Sequence, residues 1–249
     1  MANSIDLSYS KGGIAVYCGS SIGAQKAYAN AAQSVGRALA QAKRPLIYGG
    51  GAQGLMGIVS GSTLASGGDA IGIVPYAIHV GGGEREKSVA NGSLHVESIL
   101  GASVRAKHEK IVVDSMHERK VQMAKRSVGF IGLPGGFGSF EEVMEVATWT
   151  QLGIHDKPVV MLNVLGFYEP LRQLIQNGIT EGFINAANYG LVIFVDGPEA
   201  HDEHEAFDWG NAAVKAVESW QPQSVTPKYD WSKRLNGTYN TKEGALAAT

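Results

Sequence analysis

Two short stretches of this chain carry residue types suited to chemistry beside an anion. Residues 134 to 142 read Pro134-Gly135-Gly136-Phe137-Gly138-Ser139-Phe140-Glu141-Glu142, between the apolar run Val128 to Leu133 and an amphipathic stretch that begins at Ser139. That order predicts a strand, a glycine turn and a helix N-terminus. Glycines let backbone approach a ligand without Cβ obstruction, and helix-terminal amides with the positive end of the dipole favour an anion, phosphate above all. Glu142 follows in the first helical turn. A carboxylate does not suit a phosphate site, so a pocket here would do chemistry next to the anion it holds. Ser139-x-x-Glu142 equally fits a capping box, with Glu142 reaching back to the Ser139 amide. A phosphate serving those amides would instead release the glutamate for a substrate, and the spacing alone leaves both readings open.

The second stretch, Met116-His117-Glu118-Arg119-Lys120, opens a helix just past the apolar run Ile111-Val112-Val113. Its first turns therefore fall on the same rim as the glycine turn, where Arg119 and Lys120 can reach an anion. A solvated basic helix face explains such a pair as well. Arginine offers a rigid fork to phosphate or carboxylate, lysine a point charge.

Other constellations are weaker. Gly49-x-Gly51-x-x-Gly54 matches the dinucleotide fingerprint, with Asp69 20 residues after the first glycine. Asp69 precedes the run Ala70 to Val74 instead of ending it, which points it to the opposite edge of a sheet. The glycines then either serve a packing turn or line a nucleotide pocket of another kind, through Gly50 and Gly51. Ser20 and Ser21 follow a strand end and suit either phosphate or ribose contacts or helix capping. Cys18 has no base or second cysteine near it in sequence and is expected as a small buried residue. His117 and His155 share no spacing with a second ligand or nucleophile and are expected in surface or supporting roles. His201-Asp202-Glu203-His204-Glu205 follows Gly197-Pro198 and is expected as a hydrated helix start, not a metal site.

The elements that must position these residues alternate. Strands are expected at Gly13 to Cys18, Pro45 to Tyr48, Ala70 to Val74, Ile111 to Val113, Val128 to Leu133, Pro158 to Leu162 and Leu191 to Val195. Helices are expected at Ala24 to Ala42, Leu55 to Ala65, Met116 to Arg126 and Ser139 to Gln151. Apolar strands without polar alternation, separated by helices, imply a parallel sheet covered on both faces. The predicted fold is thus a single-domain, Rossmann-like, doubly wound α/β sheet with helices on both faces. Ligands of such sheets bind beyond the strand C-termini, where the glycine turns fall.

With 249 residues and 44% hydrophobic composition, one substantial core suffices. A polar leader over 1–12, a catalytic nucleotide-binding domain over 13–220 and a tail or arm over 221–249 are expected. Segment 75 to 110, polar and glycine-bearing, is either a lid over the pocket or a surface insertion. The tail either frays or lies on a neighbouring surface through Tyr229, Trp231 and Tyr239. The 21 Lys+Arg against 23 Asp+Glu leave a formal charge of −2, which gives no reason to expect a nucleic-acid polymer as partner. A single cysteine and the lack of a charged-then-apolar opening suggest the cytoplasm, and no apolar run approaches the roughly 18 residues that span a bilayer.

On these motifs the sequence resembles the Lonely Guy family, the cytokinin-activating phosphoribohydrolases long labelled lysine decarboxylases. The likeness runs from about Gly13 to Val195 and includes Cys18-Gly19-Ser20-Ser21, Tyr48-Gly49-Gly50-Gly51, Gly54-Leu55-Met56-Gly57, and Thr148-Trp149 through Leu152-Gly153-Ile154-His155-Asp156-Lys157-Pro158. The family's usual threonine in the glycine motif is Ser139 here. The resemblance implies that Arg119 and Glu142 are the catalytic pair. It places Met116, Lys120, Gly135, Gly136, Phe137, Gly138, Ser139, Thr148, Ser20, Ser21, Gly50 and Gly51 around the nucleotide. A substrate-contacting glutamate of the family falls among Glu84, Glu86 and Glu97. The implied substrate is an N6-substituted adenosine 5′-monophosphate, with AMP a further candidate, and no cofactor or metal is needed. A homodimer is implied, with a higher homo-oligomer open. Thr148 lies about 120° from Glu142 around the helix and would serve a pocket formed with the other subunit. A carrier of nucleotides or phosphorylated cofactors is the alternative. Lysine decarboxylation would need pyridoxal phosphate, and no lysine stands out as its Schiff-base partner. Both Arg119 and Glu142 are expected on a rim outside the core, so that alanine there would spare the fold.

Overall fold

Strands built of Ile, Val, Leu and Ala without polar alternation can only be satisfied between two layers of helix, and that is how this chain folds. The computed structural model describes residues 12–81, 108–221 and 229–231. In chain order the elements are β1 (Gly13–Tyr17), α1 (Lys26–Gln41), β2 (Leu46–Tyr48), α2 (Gly54–Ala65), β3 (Ala70–Pro75), α3 (Tyr76–Val80), β4 (His108–Val113), α4 (Met116–Arg126), β5 (Ser127–Gly132), α5 (Phe137–Gln151), β6 (Val159–Leu162), α6 (Glu169–Thr180), β7 (Val192–Val195) and α7 (Trp209–Glu218). Among the described residues the strands form one seven-stranded sheet in the order β4-β3-β2-β1-β5-β6-β7. Every neighbouring pair is parallel.

The chain therefore starts at the centre, winds outward to β4, and returns to the other flank of β1 with β5. The winding direction reverses between β1 and β5, and ligands of doubly wound sheets settle at such a switch point. One core cluster joins α1, α2 and α7 to the sheet through residues such as Val35, Leu39, Leu55, Val59 and Trp209. The other joins α4, α5 and the start of α6 through Met123, Val143, Val146, Trp149 and Tyr168. In α1 the buried Ala27, Ala31, Ala32, Val35, Ala38 and Leu39 recur at helical spacing, and their small size suits close contact with α2.

The expected doubly wound sheet is the observed one, with shifted element ends. Helix α5 starts at Phe137, two residues before Ser139, because Gly136 takes the N-cap position. β4 starts at His108 and pairs with β3 along its length, not from Ile111. Helix α6 was not anticipated. Its Pro170 occupies the first turn, where a missing N–H costs nothing.

His201–Glu205 is hydrated as expected at His201, Asp202, Glu203 and Glu205, which are exposed, and departs from that expectation at His204. It is a 3-10 turn in which His204 is 3% exposed. The His204 Nδ1 accepts from the Leu165 amide at 2.9 Å, so its Nε2 carries the proton held by the Pro198 carbonyl at 2.7 Å. Among the described residues no group of three acidic, histidine or cysteine side chains is placed to hold a metal. None of the described helices is long and apolar enough to cross a membrane. Residues 1–11, most of segment 75 to 110 with Glu84, Glu86 and Glu97, and most of the tail with Tyr239 lie outside the described residues. Trp231 is within them: its Nε1 donates to the Leu152 carbonyl at 2.8 Å, against its own chain.

Candidate active site

Three strand exits are tied together at the switch point. The Gly19 amide, just past β1, donates to the Pro134 carbonyl at 3.1 Å, and the Leu55 amide of α2 donates to the Gly19 carbonyl at 3.0 Å. Gly54 makes this approach possible. It holds φ +58, and a methyl there would run into the backbone of Ser20. These bonds fix the Cys18–Ser20 loop against the glycine turn that opens α5.

That helix start is uncapped. Gly136 is the N-cap with extended backbone and no side-chain cap bond, and no acidic residue falls in the first turn. The first intrahelical bond runs from Phe140 N to Gly136 O at 3.0 Å. Helix geometry gives the amides of Phe137, Gly138 and Ser139 no acceptor within the helix. Nothing lies within 4 Å of where a Cβ would stand on Gly136 or Gly138, and both line an open cleft together with Phe137 and Ser139. The capping box drawn from Ser139 and Glu142 is not formed. Ser139 is 4% exposed inside the helix, and Glu142 is a full turn past the N-cap region. A box forms instead on α4, where the Glu118 amide donates to Ser115 Oγ at 3.0 Å and Glu118 Oε2 accepts from the Asp114 amide at 2.9 Å. The pattern Ser115-x-x-Glu118 was present in the sequence and had gone unread.

A cleft of about 300 Å³ opens over this helix start. Cys18, Gly19, Ser20, Met56, Met116 and Arg119 line one side, and Gly136 to Ser139 with Glu141 and Glu142 line the other. It brings together the expected Arg119, Glu142, Met116, Ser20 and the glycine turn. Gly135 is just behind, packed on Ser139 and Gly19. Ser21, Lys120, Thr148, Gly50 and Gly51 do not line it. Thr148 is exposed, and its hydroxyl donates to the Met144 carbonyl at 2.8 Å. Lys120 turns to α5, donating to Glu141 at 2.6 Å and Glu145 at 2.9 Å. Burial pulls the Lys120 pKa down, but those two bonds outweigh it and leave the ammonium above its ordinary value.

Arg119 is 4% exposed, which corrects its expected place outside the core. Its Nη2 donates to the Gly49 carbonyl at 3.3 Å, and Met116 Sδ lies 3.8 Å from Nη1. A methyl on Gly49 would collide with that Nη2, one on Gly50 with Val74, and one on Gly51 with Met56. The fingerprint-like glycines thus act here as packing for the arginine and its neighbours, and Asp69 lies at the far end of β3, its carbonyl accepting from Leu46. Beneath the cleft Tyr17 is buried. Burial raises its hydroxyl well above the usual range, reinforced by Glu142, Glu145 and Glu141 and opposed by Arg119. Sequence reading passed over Met56, Gly19 and Glu141 as lining residues. Met56 was findable, because it lies in the first turn of a helix whose N-terminus shares the rim.

A second hollow of about 380 Å³ lies between α1 and the start of α7. Of its two acids, Asp208 already caps α7, accepting from Ser34 at 3.0 Å and the Asn211 amide at 3.1 Å, and Glu205 pairs with Lys26 at 3.5 Å. It offers no uncapped helix amides, so the smaller cleft is the better candidate for chemistry.

Comparison with known proteins follows the same line. Residues 56–203 match a family model described as "Possible lysine decarboxylase". The chain is 39% identical over 234 residues to the "Probable cytokinin riboside 5'-monophosphate phosphoribohydrolase LOGL1" of Oryza sativa subsp. japonica, covering 93% of this chain and 91% of that one. It is 37% identical over 232 residues to the "Cytokinin riboside 5'-monophosphate phosphoribohydrolase LOG1" of Arabidopsis thaliana, covering 92% and 94%. Among solved structures, the molybdenum cofactor binding protein from Rippkaea orientalis superposes with a TM-score of 0.52 at 18% identity, covering 84% of this chain and 98% of that one. The molybdenum cofactor carrier protein from Chlamydomonas reinhardtii gives 0.50 at 16%, covering 84% and 100%. At such identities these two structures share the fold alone.

Proposed function

Since the chain belongs to the Lonely Guy family, we propose that it hydrolyses the N-glycosidic bond of N6-substituted adenosine 5′-monophosphates, releasing the free base and ribose 5-phosphate. The observation that carries this reading is one cleft holding both an uncapped, unobstructed helix start and the Arg119 and Glu142 side chains. The 5′-phosphate is assigned to the amides of Phe137, Gly138 and Ser139. Water attacks C1′, the C1′–N9 bond breaks, and the purine leaves with the electron pair and takes up a proton. Positive charge builds on the ribose as the bond stretches, and the Glu142 carboxylate stabilises it and accepts the proton of the attacking water. Arg119, fixed by the Gly49 carbonyl, orients Glu142 and the phosphate. Met116 and Ser20 face the sugar and base, and water is the sole co-reactant.

The active form is proposed to be a homodimer in the cytoplasm. Phe140 and Met144 on α5, Leu174 on α6, and Phe183 and Tyr189 beyond it are exposed apolar side chains on neighbouring elements, which supports a partner surface there. Thr148 is exposed on the same helix as Met144 and is assigned to the partner's pocket. A crosslink joining Thr148 to Glu142 of its own chain would remove that assignment.

The test is incubation of the protein, without added cofactor, with N6-isopentenyladenosine 5′-monophosphate, AMP, the matching nucleoside, and lysine. Chromatography then reads free base, adenine and cadaverine. Free base from the monophosphate is expected, with a preference over the nucleoside of at least roughly a thousandfold, because losing the phosphate strands several donors at about 1–3 kcal/mol each. Comparable turnover of both would refute the phosphate anchor. Cadaverine would restore the older family label. Lys157, a half-buried lysine, gives that outcome no support, because it donates to the Ala124 carbonyl at the opposite rim of the sheet.

A further inference from the structure

Lys120 directly follows Arg119, and Glu141 directly precedes Glu142. These two neighbours of the proposed catalytic pair meet each other. Lys120 Nζ donates to Glu141 Oε1 at 2.6 Å and to Glu145 Oε1 at 2.9 Å, so two of the three donors of the ammonium are aimed at α5. The lysine side chain is 14% exposed and that of Glu145 is 22% exposed, whereas Glu141 is 52% exposed. Glu145 Oε2 is buried without a hydrogen-bond partner among the described residues, so its charge leans on the single ammonium opposite. Neither Lys120 nor Glu145 lines the cleft.

The geometry points to Lys120 as a positioning residue, one that ties the first turns of α4 to α5 through Glu141 and Glu145 and thereby sets Arg119 against Glu142. Lys120 then acts on the reaction without touching the phosphate. The inference rests on the hydrolase reading above and departs from the nucleotide contact that the family resemblance implies for this residue. An ammonium of this kind also neutralises carboxylates beside a site that must admit a dianion, which uncompensated acids would repel. Removing it leaves Glu145 as a partly buried charge with no counterion among the described residues, a larger disturbance than deleting the pair together.

The experiment compares full-length wild type with Lys120→Met, Lys120→Arg, Glu145→Gln and Lys120→Met/Glu145→Gln. Turnover of N6-isopentenyladenosine 5′-monophosphate gives kcat, and calorimetry gives the affinity for ribose 5-phosphate, the phosphate-bearing product. Lys120→Met should lower kcat at least about tenfold while ribose 5-phosphate affinity stays within about threefold. Lys120→Arg should keep most of the turnover. In the double variant Glu145→Gln should recover part of the loss, a coupling that independent sites do not show. A more than tenfold loss of ribose 5-phosphate affinity in Lys120→Met would overturn the proposal, as would additive effects in the double variant. If Lys120→Met does not fold, Glu145→Gln alone decides: lowered kcat with unchanged product affinity supports the clamp, and unchanged kcat removes it. Wild type without free-base release would count against the hydrolase reading itself, separately from the clamp.

Discussion

The two rims of the sheet use polar groups in opposite ways. At the N-terminal rim most of them are consumed internally, the buried His155 Nε2 being left without a hydrogen-bond partner among the described residues. Lys157 donates to the Ala124 carbonyl at 2.7 Å at the end of α4, and the His155 Nδ1 accepts from the Lys157 amide at 3.2 Å. Trp220 and Trp231 donate to the Asp156 and Leu152 carbonyls on either side, both at 2.8 Å. Burial holds His155 near about 3 and brings Lys157 down to about 8, with Lys157 adding to the first shift and Asp156 opposing the second. At the C-terminal rim the helix-start amides face open space instead, and carboxylates gather beside them. Perturbed ionisation alone therefore does not locate a site. His155 and Lys157 are strongly shifted yet packed away, while the cleft is distinguished by backbone donors that the fold leaves for a guest.

The largest effect expected from that contrast is kinetic and confined to the upper rim. Glu142→Gln keeps shape and removes the charge, and should cost about a thousandfold in kcat, within the range for a base that also stabilises developing charge. Thermal unfolding should barely move, because Glu142 is only half-buried. Turnover of Glu142→Gln within tenfold of wild type would assign the chemistry to another group. Arg119→Ala is a poorer probe than its place on the rim suggests, since its buried guanidinium fills space that Gly49 vacates for it.

How much of this was legible depended on whether the signal was local. Strand apolarity and helical periodicity are local, so the alternation and the parallel sheet could be read directly, and the glycine turn announced the open helix start. Competition between equivalent local patterns was not legible. Ser115-x-x-Glu118 and Ser139-x-x-Glu142 look alike, and only the backbone shows that the first is used as a cap while Gly136 pre-empts the second. Long-range pairing was equally hidden. Lys120 and Arg119 are indistinguishable as neighbouring cations until the fold sends one to Glu141 and Glu145 and the other to Gly49. His204 read as hydrated because nothing nearby in sequence reveals the Leu165 amide that it caps.

The lower rim should dominate the response to acid. The folded pKa of His155 is lowered to about 3 from an ordinary 6.5, so between those values the unfolded chain binds the extra proton. The stability that His155 contributes is whole above about pH 6.5 and is lost as pH falls toward 3, at up to about 1.4 kcal/mol per pH unit. His155→Asn keeps an acceptor and does not titrate in this range. Denaturant unfolding at pH 7, 6 and 5 should show a steep fall for wild type and a flatter one for the variant. Parallel curves would mean that His155 is not held neutral by its packing against Phe130 and Trp149.

A smaller change at the upper rim separates binding from stability within one residue. Gly138 is in the first turn of α5, with nothing near the point where a Cβ would stand. Alanine is the better helix former by about 0.8–1.0 kcal/mol, so Gly138→Ala should leave unfolding unchanged or shifted slightly upward. The added methyl enters the space over the helix-start amides, and ribose 5-phosphate affinity should fall about tenfold, equal to about 1.4 kcal/mol. Gly135→Ala is the matched control, because its methyl would strike Ser139 and the Gly19 backbone and should lower stability as well as binding. Undiminished affinity in Gly138→Ala would mean that the phosphate avoids these amides. The openness of the upper rim would then reflect loose packing and not a vacancy shaped for an anion.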